Sequence, residues 1–289
     1  MKAVVLGGVA WNLVIGMQSF PRPVPGTVVA RSSHEAIGSS GAGKALNLAA
    51  AGWDVALWAA VGDDAAGERI RSRLAEAGVE FLGHRDPAGT MRHVNLMDAG
   101  GDRISIFVNG GSQDLDVDHH SLADRMEAAD FVAVTIFDHC RGFLAVAAER
   151  STPLWIDIHD YDGENPHHTE FIEHATWLQA SSVALPSWKR FAERQVERGK
   201  ELVLVTHGAD GASVVTSAGW SHIRPERLEP VDTNGAGDAF TAGFVTSWWS
   251  DREPEAALAL GTATAVRALM SKDLAPECRH PEESRTWAV

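Results

Sequence analysis

The sequence predicts an α/β fold in which helices cover both faces of a mainly parallel sheet. Apolar runs typical of buried strands alternate with amphipathic stretches typical of helices, and this alternation indicates right-handed β-α-β units. No repeat, low-complexity tract or linker divides the chain, so a single domain over residues 1–289 is expected. The predicted strands are Lys2–Gly8, Val55–Ala60, Phe131–Thr135, Leu154–Ile158 and Leu202–Thr206, and the helices between them include Ile70–Ala77, Phe143–Glu149 and Trp188–Arg198.

The N-terminal apolar run, Ala3–Ile15, is predicted to contain a buried strand rather than to act as a signal peptide. Gly7, Gly8 and Asn12 interrupt the run, and no small-x-small cleavage site follows it. Four apolar residues bounded by a glycine pair are typical of a strand that is covered on both faces.

Two stretches, at about residues 11–35 and 90–108, interrupt the alternation because they contain strand-like segments with no helix between them. The second stretch contains the letters DAGGD at residues 98–102, which predict a tight hairpin turn. We expect the two stretches to pair as a small separate sheet.

Composition and charge exclude several classes of partner. The chain has 45% apolar residues, as globular proteins do, and a formal net charge of −14. This charge argues against nucleic acid or an anionic membrane as a partner, because either would need a basic face, and no apolar stretch reaches the roughly 20 residues of a membrane span. The two cysteines, Cys140 and Cys278, form no disulfide framework, so a reducing compartment, the cytoplasm, is expected.

A glycine-rich turn near the C-terminus carries the predicted chemistry. Residues 232–240 read DTNGAGDAF, and Gly235, Ala236 and Gly237 are small enough for the backbone to approach an anion closely. Asp238 would place a proton acceptor beside amides that stabilise charge on a transferred phosphoryl group. The alternative is a helix start capped by an aspartate, which commonly has no catalytic meaning.

An amphipathic helix is predicted to follow this turn. Phe240, Phe244 and Trp248 recur every fourth residue, so they form one buried face. A second helix is expected at Leu258–Met270. Upstream, Val205–Ala212 predicts a hairpin with glycine and aspartate in its turn.

The segment Asp232–Val245 resembles the C-terminal signature of the PfkB or ribokinase family of sugar and nucleoside kinases. The resemblance continues in the family's order through Lys2–Gly8, Gly38–Gly52 and Val61–Gly67. It implies a ribokinase-like three-layer α/β/α sandwich with a small β-sheet lid, and transfer of the γ-phosphoryl group of ATP to a hydroxyl of a small sugar, sugar derivative or nucleoside. It also implies Mg²⁺, and it raises a monovalent cation and a homodimer formed through the lid.

The resemblance assigns residues to the reaction. Asp238 would be the catalytic base, with Gly235, Ala236 and Gly237 as the anion hole. Asp232 would have an indirect role near Mg²⁺. The expected nucleotide contacts are Thr206, Gly208, Gly211 and Asn234.

The substrate side departs from the family pattern. Gly43 stands where the family has an asparagine that binds substrate hydroxyls, and Lys44 or Asn47 could compensate. Lys44 could pair with an anionic substrate group, or it could be a solvated lysine on a helix. Asn12 stands where many relatives have aspartate. The expected substrate contacts are Asn12, Gly38, Ser39, Gly43, Lys44, Asn47 and Arg103.

The family's Asn-x-x-Glu motif is also missing. The corresponding residues, Ala180–Ala184, contain neither Asn nor Glu, so Mg²⁺ would be held mainly by nucleotide oxygens and water. Asp157, His159 and Asp160 follow a predicted strand at the end where α/β folds bind ligands, although strand ends also carry polar residues for solubility.

Two other functions remain open at this stage. The departures from the family pattern favour a sensor that binds sugar or nucleotide without turnover. The segment Gly38–Ala45 nearly matches a P-loop, but Ala45 replaces the hydroxyl that binds Mg²⁺ and the polar residues 31–35 precede it where a buried strand should stand.

Overall fold

The computed structural model describes residues 1–100 and 103–276. Thirteen strands and eight α-helices lie within these residues. The strands are β1 (Lys2–Leu6), β2 (Ala10–Gly16), β3 (Ser32–Gly38), β4 (Asp54–Val61), β5 (Glu80–Arg85), β6 (Arg92–Met97), β7 (Arg103–Asn109), β8 (Phe131–Val134), β9 (Trp155–Asp157), β10 (Trp177–Ser181), β11 (Leu202–Thr206), β12 (Ala212–Thr216) and β13 (Gly219–Ile223). The helices are α1 (Ser40–Ala50), α2 (Ala65–Glu76), α3 (Ala123–Glu127), α4 (Arg141–Arg150), α5 (Thr169–His174), α6 (Trp188–Glu197), α7 (Ala236–Asp251) and α8 (Pro254–Leu269).

Nine strands form the main sheet in the order β13-β12-β11-β10-β9-β8-β1-β4-β5. The strands from β11 to β5 in this order pair in parallel, whereas β12 and β13 are antiparallel. The predicted mainly parallel sheet and the predicted hairpin after β11 are therefore confirmed. Because the parallel strands share one direction, their carboxyl ends meet at a single edge of the sheet.

Helices cover both faces of the main sheet. Along β1, Ala3 and Val5 pack into one apolar core with α1, α2, α7 and α8, while Val4 and Leu6 pack into the other with α3 to α6. Alternate residues of a strand point to opposite faces, so a strand buried on both sides must be apolar throughout. The predicted three-layer α/β/α architecture is confirmed.

The remaining four strands form a small sheet in the order β3-β2-β6-β7. It joins the two stretches that interrupt the helix-strand alternation, as predicted. The pairs β2-β3 and β6-β7 are antiparallel. The turn predicted at residues 98–102 falls between β6 and β7, but residues 101 and 102 lie outside the described part of the chain. Four apolar side chains of β7 are exposed, namely Ile104, Ile106, Phe107 and Val108. A homodimer through this sheet stays a prediction.

Helix α7 is buried on more sides than a simple amphipathic helix would be. Its predicted aromatic face is present, with Phe240, Phe244 and Trp248 stacked in sequence. Thr241 and Val245 are buried as well, because α7 also packs against α1 and α8. This packing holds the start of the helix rigidly.

Two predictions made from the composition, on membrane spans and on the cysteines, can be compared with the described residues. No helix in the described ranges combines the length and apolar character needed to cross a bilayer. Cys140 is buried with a free thiol, and Cys278 lies outside the described residues.

Candidate active site

A cavity of about 810 Å³ lies between the small sheet, hereafter the lid, and the carboxyl edge of the main sheet. Four neighbouring strands of the main sheet contribute to it where they end, through Thr135, Asp157, Ser181 and Thr206. Ligands bind in such crevices of α/β folds because loops and helix starts converge there. His159 and Asp160 also line the cavity, as do the lid residues Asn12, His93, Asn95, Arg103, Ser105 and Phe107.

The glycine-rich turn opens α7 at one wall of the cavity. Gly235 precedes the helix with a φ of 76°, and a side chain there would overlap that of Leu274, so the position requires glycine. Because α7 begins at Ala236, the first amides of the helix have no intrahelical acceptor. The amide of Ala239 is the first in this stretch to donate to a backbone carbonyl, that of Gly235, at 2.9 Å.

Asp238 lies in the first turn of α7 and lines the cavity, with 12% of its side chain exposed. Its Oδ1 accepts hydrogen bonds from Lys44 Nζ at 2.6 Å and from Ser40 Oγ at 3.0 Å. Gly235 and Gly237 line the same cavity. The structure thus brings together the carboxylate and the turn that the sequence predicted to act together.

Lys44 is fully enclosed by protein, with 2% of its side chain exposed. Its Nζ donates to Asp157 Oδ2 at 3.0 Å as well as to Asp238. Burial opposes the charged form of Lys44, but the carboxylates of Asp238 and Asp157 outweigh it and raise the pKa of the ammonium. Burial would also raise the pKa of the Asp157 carboxyl, yet the charges of His159 and Lys44 bring it below its ordinary value. The solvated lysine considered from the sequence is wrong, because both carboxylates hold the ammonium inside the protein.

Gly43 lies against the side chain of Asp238 and does not line the cavity. An ideal Cβ at this position would lie 2.7 Å from Cγ of Asp238, a separation that real side chains do not tolerate. Gly38 also has no room for a side chain, because a Cβ there would overlap the side chain of Asn12. Asn47 lies outside the cavity, and its amide group donates to the carbonyls of Gly43 and Leu274 at 2.8 and 3.0 Å.

Ser39 lines the cavity with an unusual backbone, φ 74° and ψ 154°. L-residues rarely adopt this conformation, which glycine adopts readily. The family pattern has a glycine pair where this chain has Gly38 and Ser39, so Ser39 keeps the backbone shape of a glycine position. The strained backbone of Ser39 therefore lies immediately before the first residue of α1, at the wall of the cavity.

The predicted nucleotide contacts separate into two groups. Thr206 and Asn234 line the cavity, and Asn234 Oδ1 accepts a hydrogen bond from Arg103 Nη1 of the lid at 2.9 Å. Gly208 and Gly211 lie in the turn between β11 and β12 and do not line the cavity. Gly211 has a φ of 96°, and a side chain there would overlap the carbonyl of Ile223.

Asp232 stabilises the glycine-rich turn from the side that faces away from the cavity. It is buried, does not line the cavity, and accepts the amide of Asn234 on Oδ1 at 2.7 Å. Burial raises the pKa of its carboxyl, with the amide of Asn234 opposing the rise. The indirect role near Mg²⁺ stays a prediction.

Several residues that line the site were not predicted from the sequence. Ser40 and Gln179 line the cavity, as do the lid residues His93 and Asn95. The two lid residues stand two apart on β6, so the period of a strand places them on one face. This two-residue spacing is the pattern from which His93 and Asn95 could have been predicted. No such pattern marks Ser40 and Gln179, because the residues they contact are distant in sequence.

The described residues form no protein cage for a divalent metal. Among them, no group of three or more His, Cys, Asp or Glu side chains is arranged to hold a metal ion. Both oxygens of Asp157 are already occupied, Oδ1 by the amide of His159 and Oδ2 by Lys44. A Mg²⁺ ion held chiefly by nucleotide oxygens and water would need no such cage, and this mode of binding stays a prediction.

The profile of the pfkB family carbohydrate kinase matches residues 2–151 and 170–277. The chain belongs to this family. It is therefore a carbohydrate kinase, as its sequence predicted. The P-loop alternative is wrong, because β3, which ends at Gly38, is an antiparallel strand of the lid rather than a buried parallel strand.

Among similar proteins, the acarbose 7(IV)-phosphotransferase of Actinoplanes sp. is 27% identical over 273 residues, covering 92% of this kinase and 91% of the relative. The ATP-dependent ribose-1-phosphate kinase of Halopiger xanaduensis is 30% identical over 278 residues, covering 92% and 93%. The solved structure of the microbiome-derived acarbose kinase Mak1 matches with a TM-score of 0.82 and 28% identity, covering 93% of each chain. Ribokinase from Thermotoga maritima, at 19% identity, matches with a TM-score of 0.76 over 98% and 97% of the two chains, which supports the fold alone.

Proposed function

We propose that this kinase transfers the γ-phosphoryl group of ATP to a hydroxyl of a sugar or sugar derivative held between the lid and Asp238. One observation carries the proposal. The carboxylate of Asp238 and the glycine turn line the same cavity as a set of lid side chains with unused hydrogen-bonding atoms.

Those unused atoms indicate the chemistry of the acceptor. Within the described residues, Oδ1 of Asn12, Oδ1 of Asn95 and Nε2 of His93 are buried without a hydrogen-bond partner. Buried polar atoms are nearly always satisfied, so these three await a ligand or ordered water. Sugar hydroxyls, which both donate and accept hydrogen bonds, would satisfy all of them.

The proposed reaction needs one proton transfer. The acceptor hydroxyl gives its proton to Asp238 while its oxygen forms a bond to the γ-phosphorus, and the bond from that phosphorus to the oxygen bridging to ADP breaks. The free amides of the turn that begins α7 receive the negative charge of the transferred group. Mg²⁺, when bound with the nucleotide, neutralises phosphate charge.

The position of the nucleotide follows from that of the turn. With the γ-phosphate at Gly235–Gly237, Thr206 and Asn234, which line the same cavity, are the proposed contacts to the rest of the nucleotide, together with the turn of Gly208 and Gly211. Helix α8 would then flank the adenine. The lid excludes water, which would otherwise compete with the sugar as acceptor.

ATP consumption measured against a panel of mono- and oligosaccharides, sugar phosphates and nucleosides tests the proposal. We expect turnover with at least one sugar or sugar derivative. Asn12→Ala and Asn95→Ala should raise the KM for that acceptor by about tenfold, since an unmade buried hydrogen bond costs roughly 1–3 kcal/mol. Gln18→Ala, at an exposed site outside the cavity, is the control. Ligand binding without turnover for every acceptor would instead support the sensor alternative.

A further inference from the structure

We infer that Lys44 is a positioning residue for phosphoryl transfer, which holds the base Asp238 by one carboxylate oxygen while Asp157 anchors the lysine from the other side. The inference rests on the proposed function, in which Asp238 takes the acceptor's proton. It assigns a purpose to a side chain that the family pattern left unexplained.

Three separate elements meet at the group formed by Lys44, Asp157 and Asp238, hereafter the clamp. Lys44 lies on α1, Asp157 ends β9, and Asp238 lies in the first turn of α7. Ser40, one turn before Lys44 on α1, accepts from Lys44 Nζ at 2.8 Å and donates to Asp238 Oδ1. The clamp therefore fixes the relative positions of α1, the main sheet and α7 where the chemistry is proposed to occur.

The clamp divides the two oxygens of Asp238. The hydrogen bonds that the described residues make to this carboxylate, from Lys44 and Ser40, both end on Oδ1. Oδ2 lies against Gly43, in space that only a glycine leaves free. Pinning Oδ1 restricts rotation of the carboxylate and leaves Oδ2 to accept the proton of the acceptor hydroxyl.

The charges of the clamp also have a purpose. Two carboxylates that share a buried site without a cation cannot both stay ionised, and one would hold a proton before the substrate arrives. The ammonium of Lys44 removes this difficulty and leaves the group with one net negative charge. Among the described residues, His159 also faces the clamp, with its Nδ1 3.5 Å from Asp157 Oδ2.

Asp157 also alters the electrostatic environment of the Asp238 carboxylate. Without Asp157, Lys44 and Asp238 would form an isolated buried ion pair with no net charge. With Asp157 present, its negative charge opposes part of the field that the ammonium exerts at Asp238.

Two variants should move the pH dependence in opposite directions. Lys44→Met, which removes the cation, should lower kcat by roughly 100-fold, the scale of a misplaced acid-base group, with the KM for ATP within about threefold. The acidic limb of its kcat/KM profile should move to higher pH, because the ammonium no longer favours the ionised base. Asp157→Asn should lower kcat less and move the same limb to lower pH, because the negative charge of Asp157 then no longer opposes the field of Lys44 at Asp238.

A spectroscopic readout separates failure of the clamp from failure of the kinase proposal. In protein carrying ¹³C-labelled aspartate carboxyls, the signal that disappears in Asp238→Asn identifies the base, and its titration midpoint can be followed in both variants without turnover. Opposite shifts support the clamp even if no acceptor is phosphorylated. Unchanged midpoints, or shifts of the same sign, overturn it even in an active kinase. Should Lys44→Met fail to fold, Asp157→Asn and the double variant Lys44→Met/Asp157→Asn decide the matter by the same signal.

Discussion

Gly43 leaves no room for a side chain beside the carboxylate of Asp238, since a Cβ at position 43 would come within 2.7 Å of Cγ of Asp238. Gly43→Ala should therefore displace Asp238, the proposed base. We expect kcat to fall at least about tenfold, because small displacements of a positioned catalytic group can reduce rates by up to roughly 100-fold. Gly26→Ala, at a glycine with no atom within 4 Å of its ideal Cβ, is the control and should leave kcat unchanged. A fully active Gly43→Ala enzyme would mean that the carboxylate is not held where the structure places it.

Asp238→Asn should abolish the proposed proton transfer and leave the nucleotide site intact. We expect kcat to fall by roughly 10²- to 10⁴-fold, the usual effect of removing a general base. The Kd for ATP should change by less than about threefold, because an amide occupies the same volume. Steady-state kinetics and calorimetric titration with ATP measure the two quantities. Asp251→Asn, in the last turn of the same helix, is the matched control, and substantial activity in Asp238→Asn would assign the proton to another acceptor.

Ser39→Gly should stabilise the protein. The φ of 74° strains serine but not glycine, and relief of such strain is worth about 1 kcal/mol, reduced somewhat by the greater freedom of glycine in the unfolded chain. Denaturant unfolding should therefore show a higher midpoint for Ser39→Gly. Ser187, with a φ of −99°, provides the contrast, since Ser187→Gly has no strain to relieve and should be neutral or destabilising. A lower midpoint for Ser39→Gly would contradict the assigned backbone shape.

The hydrogen bond between Arg103 and Asn234 joins the lid to the glycine-rich turn. Arg103→Met should lower kcat/KM by about three- to tenfold, consistent with an exposed hydrogen bond worth roughly 1 kcal/mol. Asn234→Ala should have a similar effect, and the double variant should be little worse than either single variant. This double-mutant cycle measures the coupling directly. Fully additive effects would mean that the two residues act separately.

Protein stability should fall between pH 7 and pH 5, in part because of His139. Burial lowers the pKa of its imidazole, and Nε2 has no hydrogen-bond partner within the described chain. The unfolded chain takes up a proton near the ordinary pKa of about 6.5, whereas the folded protein does so only at lower pH. The unfolded state therefore binds more protons in this window, and the free energy of unfolding decreases as the pH falls.

Denaturant midpoints at pH 7 and pH 5 test this expectation. His139→Gln should lose less stability over the interval than the original protein does. His120→Gln, at an exposed histidine, serves as the control and should retain the full decrease. Equal decreases in all three proteins would exclude His139 as a source of the pH dependence.

The order of elements, the strands of the lid and the glycine-rich turn could be predicted from the sequence because each depends on neighbours along the chain. The apolar run Ala3–Leu6 predicts a strand whatever it packs against, and Gly235 to Asp238 form one contiguous turn whose geometry is local. The alternation of strands and helices then restricts the fold to few topologies. These features carry the family's signature.

The surroundings of the individual polar side chains could be decided only by the tertiary structure. Lys44 is separated by 113 residues from Asp157 and by 194 residues from Asp238, so no spacing rule could show that the three meet. A lysine on a helix is ordinarily solvated, and only the packing of α1 against α7 and the main sheet makes this one a buried ion-pair partner. Gly43 likewise departs from the family pattern without an apparent reason until the carboxylate beside it is seen. The physical cause is the same in both cases, because the energy of a charged or absent side chain depends on what folding brings next to it.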